Sequence, residues 1–177
     1  MKFTEEWYSP ASIVALRKAY GRTDGLEGRI IEVGCWEGRS TVALARACYP
    51  EMLHAVDTWE GSPGEPSETL AAERDVYAQF QANIDTATAG NIIVHRMGWR
   101  DYFATDQTPI RFLHIDATHT YEEVRDNILE AIPLMTPGGV ICGDDRHHYP
   151  VAKAVVDVFG YFEYDANLWW RRVGDGD

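Results

Sequence analysis

Short apolar runs alternate along the chain with longer stretches whose apolar positions recur every three or four residues. Residues 10–20 (PASIVALRKAY) carry the helical spacing, with Pro10 where a first turn tolerates it. RIIEV (29–33) is a short apolar run stopped by Gly34, the mark of a buried strand. Helical spacing returns over 39–49, and MLHAVD (52–57) reads as a second strand ending in Asp57. Residues 58–69 (TWEGSPGEPSET) are rich in Gly, Pro, Ser and Glu and read as a loop. A helix is predicted over 70–84 and strands over 91–96 and 110–116. An amphipathic helix follows over 121–134, with Val124, Ile128, Leu129 and Ile132 on one side. Residues 140–144 make a fifth strand and 151–159 another helix. The end, YFEYDANLWWRRV, predicts two strands joined at Asp165-Ala166-Asn167.

Strands alternating with helices in this way predict an α/β fold: a doubly wound, Rossmann-like seven-stranded sheet, mostly parallel, with an antiparallel C-terminal hairpin and helices on both faces. No repeat of solenoid length is present. A chain of 177 residues is expected to form one domain over 1–177, with an N-terminal helix region (1–25) and a lid loop at 58–69. Ligands in such sheets sit beyond the carboxyl ends of the strands, near the reversal in strand order. Glu32, Gly34, Asp57, Asp116, Asp144 and Asp145 all lie at or just before such ends.

Charge narrows the partners. Lys and Arg total 16 against 28 Asp and Glu, a net charge of −12. With no basic stripe, nucleic acid and anionic membrane are disfavoured. The odd set Cys35, Cys48 and Cys142 has no C-x-x-C spacing and reads as packing residues in a reducing compartment. No run approaches the roughly 18 apolar residues of a membrane span. MKFTEEWYSP lacks a basic stretch followed by an apolar one. A soluble, cytoplasmic protein is the expectation.

The turn after the first strand, IIEVGCWEGRST, holds Glu32, Gly34 and Gly38. Its glycines allow a tight strand-to-helix turn and close approach of a ligand. A dinucleotide fingerprint wants a middle glycine where Trp36 stands, and Glu32 and Glu37 are poorly suited to a phosphate. That disfavours a nucleotide-cofactor oxidoreductase. Asp57 is placed to accept from both hydroxyls of a ribose. A nucleoside ligand without phosphates fits, and S-adenosylmethionine, with its positive sulfonium, is one.

Three aspartates gather at the other strand ends: Asp116 after the fourth, Asp144 and Asp145 after the fifth, within GGVICGDDRHHYP. Carboxylates so close repel unless a cation lies between them. Oxygen donors favour Mg²⁺ or another hard divalent ion. The alternative is that one aspartate caps the next helix while another pairs with Arg146 or Arg125.

From Arg29 to about Asp145 the sequence resembles the class I S-adenosylmethionine-dependent methyltransferases. The resemblance runs closest to the small metal-dependent O-methyltransferases that include the macrocin-type sugar enzymes. It is carried by IEVGCWEGRST, AVDTWEGSPGE, FLHIDATHTYEEVRDNI and LMTPGGVICGDD. The resemblance implies that Glu32, Gly34, Trp36 and Ser40, with Cys35 and Gly38 of the same turn, line the methionine and ribose end. It implies that Asp57 holds the ribose, that Thr58 and Trp59 lie near the adenine, and that Met97, Gly98 and Trp99 close over the base. Asp116, Asp144 and Asp145 match the metal positions, Asp116 also facing the cofactor and the reaction. Some such enzymes carry an acidic residue two places after the first metal aspartate, where this chain has Thr118.

His119 is then the first candidate for a general base, against a role in capping the following helix. His147 and His148 are candidates to face the substrate or are solvated loop residues. His54, His95 and His114 lie within strands and read as packing. Trp7 and Tyr8 are candidates for the acceptor pocket or for a homodimer contact. The expected activity is divalent-metal-assisted methylation of a small-molecule hydroxyl, a sugar moiety first, with a catechol-type aromatic diol as the alternative acceptor. A non-catalytic binding module is the alternative from outside enzymology.

Overall fold

The computed structural model describes residues 1–174. Its helices are α1 (Pro10–Gly21), α2 (Arg39–Cys48), α3 (Pro66–Glu73), α4 (Val76–Ala87), α5 (Trp99–Thr105), α6 (Tyr121–Ala131) and α7 (Tyr149–Phe159). Its strands are β1 (Arg29–Val33), β2 (Leu53–Asp57), β3 (Ile92–Arg96), β4 (Ile110–Ile115), β5 (Met135–Gly143), β6 (Glu163–Asp165) and β7 (Leu168–Arg172). They form one seven-stranded sheet in the order β3-β2-β1-β4-β5-β7-β6. The strands β1 to β5 pair in parallel, and β7 runs antiparallel to both β5 and β6. The doubly wound architecture read from the sequence is therefore the observed one. Strand order reverses between β1 and β4, which opens a crevice at their carboxyl ends.

Parity along the strands decides the layers. Ile31 and Val33 of β1, Leu113 and Ile115 of β4 and Ile141 of β5 face one side, against Val124 and Ile128 of α6 and Val151 and Val155 of α7. Ile30, Phe112, Val140, Cys142 and Trp170 of β7 face the other side, where Leu16 of α1 and Leu44 of α2 cover them. Successive side chains alternate across a strand, so each buried strand feeds both cores. Beside the second core, Phe80 and Ile84 of α4 pack with Val42 of α2 and Trp59.

Several elements differ from the sequence reading, among them β5, which begins at Met135 and not at 140. The helix expected over 70–84 is two helices, because Asp75 accepts from the Ala78 N–H at 2.9 Å and caps a new start at Val76. The first, α3, begins at Pro66, inside the expected loop, and buries no residue. The segment before β4 holds α5, too short to show a period, though it buries Trp99, Tyr102 and Phe103. In α6 the inward face is Val124, Asn127, Ile128 and Ala131, while Leu129 is 48% exposed. All three cysteines are free and buried. No helix among the described residues is long and apolar enough to cross a membrane.

Candidate active site

The β1–α2 turn is built around one carboxylate. Asp57, ending β2, accepts from the Cys35 N–H (2.7 Å) and Trp36 N–H (2.9 Å) on Oδ2 and from the Trp59 N–H (2.7 Å) on Oδ1. Its burial outweighs these bonds and holds its pKa above the ordinary value. Gly34 is in the left-handed region (φ 85°), and a Cβ there would meet the Asp116 carbonyl oxygen at 2.1 Å. Only glycine lets the ends of β1 and β4 come this close. Trp36 (φ 48°), Trp59 (φ 59°) and Asp145 (φ 60°) also hold left-handed backbone, a strained conformation for such residues.

Above this turn lies a cavity of about 370 Å³. From the expected cofactor residues it is lined by Gly34, Cys35, Trp36, Ser40, Asp57, Thr58, Gly98, Trp99 and Asp116, and Met97 joins them. His119, Asp144 and Asp145 line it as well. The expected lid contributes Gly61, Ser62, Glu65, Pro66 and Ser67, and the N-terminal segment adds Phe3, Glu5, Trp7 and Tyr8.

Three expected cofactor residues do not reach the cavity. Glu32 follows strand parity into the core beneath α1, fully buried, with Oε1 3.1 Å from His114 Nδ1 and Oε2 without a partner. The Tyr8 hydroxyl completes this chain, 3.3 Å from His114 Nε2. Burial alone would lower the His114 pKa, but Glu32 outweighs it and holds the imidazole above its ordinary value. Gly38 is the left-handed residue preceding α2, against Phe80. Trp59 is buried on Tyr77 and Phe80, its indole N–H donating to the Trp36 carbonyl at 2.8 Å.

At the aspartate end the grouping also departs from expectation. Asp116, His119 and Asp145 bring one donor atom each within 4.8 Å of one another. Asp144 stands outside that group, turned toward Ser12, whose hydroxyl lies 3.5 Å from Oδ1. Both lie past the end of β5 at Gly143, and the left-handed backbone of Asp145 (φ 60°) turns the chain there, so the two side chains diverge. Burial, then Asp116 and Asp145, raise the Asp144 pKa to about 7. His119 Nε2 lies 3.1 Å from Asp145 Oδ2 and 3.6 Å from Asp116 Oδ1. Glu65, in the expected lid, contacts the same residue, accepting from the His119 N–H (2.9 Å) and standing 3.1 Å from Nδ1. Burial would lower the His119 pKa, but Asp116, Asp145 and Glu65 outweigh it and raise it to about 12. Arg146 instead bonds the Ala166 carbonyl and Arg125 bonds Asp126, so neither pairs with the rim aspartates. His147 and His148 are exposed.

Sequence reasoning missed Arg39. It begins α2, lines the cavity, and its guanidinium contacts the Phe3 ring at 5.7 Å with no hydrogen bond.

A sequence profile of a methyltransferase-domain family matches residues 31–146, well over half of the 177. The chain belongs to that methyltransferase family. Its sheet, with antiparallel β7 beside β5, is the doubly wound form expected from the sequence. No curated protein matches its sequence. Among solved structures it is similar to the O-methyltransferase NovP (TM-score 0.70, 17% identity, 90% of this chain and 78% of that one). It is also similar to CalS11, a TDP-rhamnose 3′-O-methyltransferase of calicheamicin biosynthesis (0.66, 18%, 95% and 82%). A third is TomG, an O-methyltransferase of Streptomyces achromogenes in complex with S-adenosylmethionine (0.65, 16%, 92% and 79%). At these identities the likeness is one of fold.

Proposed function

We propose that this methyltransferase moves the methyl group of S-adenosylmethionine to a hydroxyl oxygen of a small molecule, a sugar moiety foremost, with a divalent cation held at Asp116 and Asp145. One observation carries the reading. The Asp57-centred turn and the Asp116–His119–Asp145 group line one cavity. NovP, an O-methyltransferase, and CalS11, a TDP-rhamnose 3′-O-methyltransferase, lend support to oxygen and sugar as acceptor.

The residues fit the cofactor. Asp57 Oδ1 takes only one backbone donor and keeps capacity for a ribose hydroxyl. Ser40 is buried on the cavity wall with no hydrogen bond, and Arg39 stands beside it, so both can donate to the methionine carboxylate. Trp99 and Met97 supply apolar surface for the base. The cation fits as well, since two carboxylates and the orphaned nitrogen of His119 converge on one point.

Methyl transfer to oxygen is an in-line displacement at a carbon already activated by the sulfonium, so the protein's work is alignment and exclusion of water. When bound, a divalent ion would lower the pKa of the acceptor hydroxyl. Asp116 ends the strand next to Gly34 and sets the acceptor end of the cavity against the cofactor end. The Glu65 contact holds the lid over the aspartate end.

The test is calorimetric titration with S-adenosylhomocysteine, followed by transfer of labelled methyl to a panel of nucleotide-linked sugars and catechols, with and without chelator. Micromolar binding, at least tenfold weaker in Asp57→Ala, and chelator-sensitive transfer to a sugar are expected. Absence of S-adenosylhomocysteine binding would sink the cofactor assignment, and chelator-insensitive transfer the metal.

A further inference from the structure

We infer that His119 is itself a ligand of the divalent ion, not the general base, and that Glu65 of the lid is the group behind it that sets its ring. The inference rests on the metal-assisted reading above and changes its ligand set to Asp116, His119 and Asp145.

Three observations lead there. His119 Nε2 is buried and has no hydrogen-bond partner, although Asp145 Oδ2 is only 3.1 Å away. The carboxylate lies close but out of line, so no hydrogen bond forms between them. Two donors to one ion adopt that placement, because the ion sits off the line joining them. Ligands about 2.1 Å from an ion and at a right angle to each other are about 3.0 Å apart. The Asp145 separation matches this, and Asp116 Oδ1, at 3.6 Å, needs only a small shift.

The opposite side of the ring carries the second observation. Ligating histidines donate their other ring N–H to a carboxylate or carbonyl, which fixes the tautomer and points the free nitrogen at the ion. Glu65 Oε2 stands 3.1 Å from His119 Nδ1, and Oε1 accepts the His119 backbone N–H. A base poised for a substrate hydroxyl needs its free nitrogen toward the acceptor. Here Nε2 faces the two aspartates instead.

The third observation is Asp144. It lies outside the cluster, next to Ser12, so an all-carboxylate triad is not what the strand ends assemble. One nitrogen among oxygen donors moves preference from Mg²⁺ toward Mn²⁺, Fe²⁺ or Co²⁺. Because Glu65 belongs to the lid, ion binding and lid closure share one contact.

The experiment uses the full chain, stripped with chelator and titrated with Mn²⁺. Continuous-wave electron paramagnetic resonance reads affinity, and spin-echo modulation reads nitrogen at the bound ion. Expected are nitrogen modulation in the wild type that survives His148→Gln and is lost in His119→Gln. Mn²⁺ should bind roughly tenfold or more tighter than Mg²⁺. Glu65→Gln should keep the modulation and weaken Mn²⁺ binding about 10–100-fold. Bound Mn²⁺ without nitrogen modulation in the wild type would overturn the assignment, even if His119→Gln fails to fold. No uptake of Mn²⁺ would overturn it together with the metal-assisted reading, while intact S-adenosylhomocysteine binding would leave the methyltransferase standing.

Discussion

Single residues at this site work through the backbone as much as through side chains. Asp57 spends three acceptor positions on N–H groups of the turn and its own loop, so the residue that could meet the ribose also builds the wall around it. Its removal should therefore disturb the Gly34–Trp36 turn as well as cofactor contact. Gly34 gives the sharpest case. A methyl there would sit 2.1 Å from a carbonyl oxygen, on backbone already at φ 85°. Gly34→Ala should destabilise the protein by about 3 kcal/mol or more, read as a lower urea midpoint. A loss below about 1 kcal/mol would show that β1 and β4 can separate at no great cost.

Among the elements, the outer strands carry a polar cluster remote from the aspartates. The rings of His54 on β2 and His95 on β3 stack, with Nδ1 and Nε2 3.1 Å apart. The Tyr102 hydroxyl of α5 lies 2.9 Å from His54 Nδ1, and Arg29 donates to Tyr102 and pairs with Asp106. Burial, then the neighbouring His95 and Arg29, lower the His54 pKa to about 4. The unfolded chain, near 6.5, therefore binds the proton first, so this residue contributes stability above pH 6.5 that is lost as pH falls toward 4. His119 and His114 have raised pKa values and act in the opposite sense, so the comparison must be differential. Melting temperatures of His54→Asn and wild type, followed from pH 7 to pH 4, should converge, with the mutant flatter. Parallel curves would show that His54 is not held neutral.

At the scale of the whole molecule, sequence-distant segments close one cavity. The Lys2 N–H donates to Asn83 Oδ1 (2.8 Å), the Thr4 N–H to Glu37 Oε2 (2.7 Å), and Arg74 pairs with Glu5 (3.2 Å). These bonds strap residues 2–5 beside the β1–α2 turn, while Glu65 ties the segment after β2 to His119. A ligand bound at 100 times its Kd adds about 2.7 kcal/mol to stability. For a domain of this size S-adenosylhomocysteine should then raise Tm by roughly 5–10 °C. Deleting residues 1–6 should cut that gain to about half or less in a thermal-shift assay. An undiminished gain would mean that the strap does not bear on the bound cofactor.

The sequence by itself determined the architecture and the rim. Runs of four to six apolar residues between helical stretches specify strands and crossovers because both periods are local, and glycines and acids at strand ends mark the ligand edge whatever the packing. Short α5 escaped because one or two turns show no period, and the α3–α4 break because its cause is a single capping aspartate. Only the tertiary structure decided where strand-end side chains point. Packing beneath α1 set Glu32 on His114, and the left-handed backbone of Asp145 beyond β5 turned it away from Asp144. The fold also brought Glu65 onto His119, residues 54 positions apart. No periodicity encodes that meeting, because it depends on how a loop after β2 folds back over the end of β4.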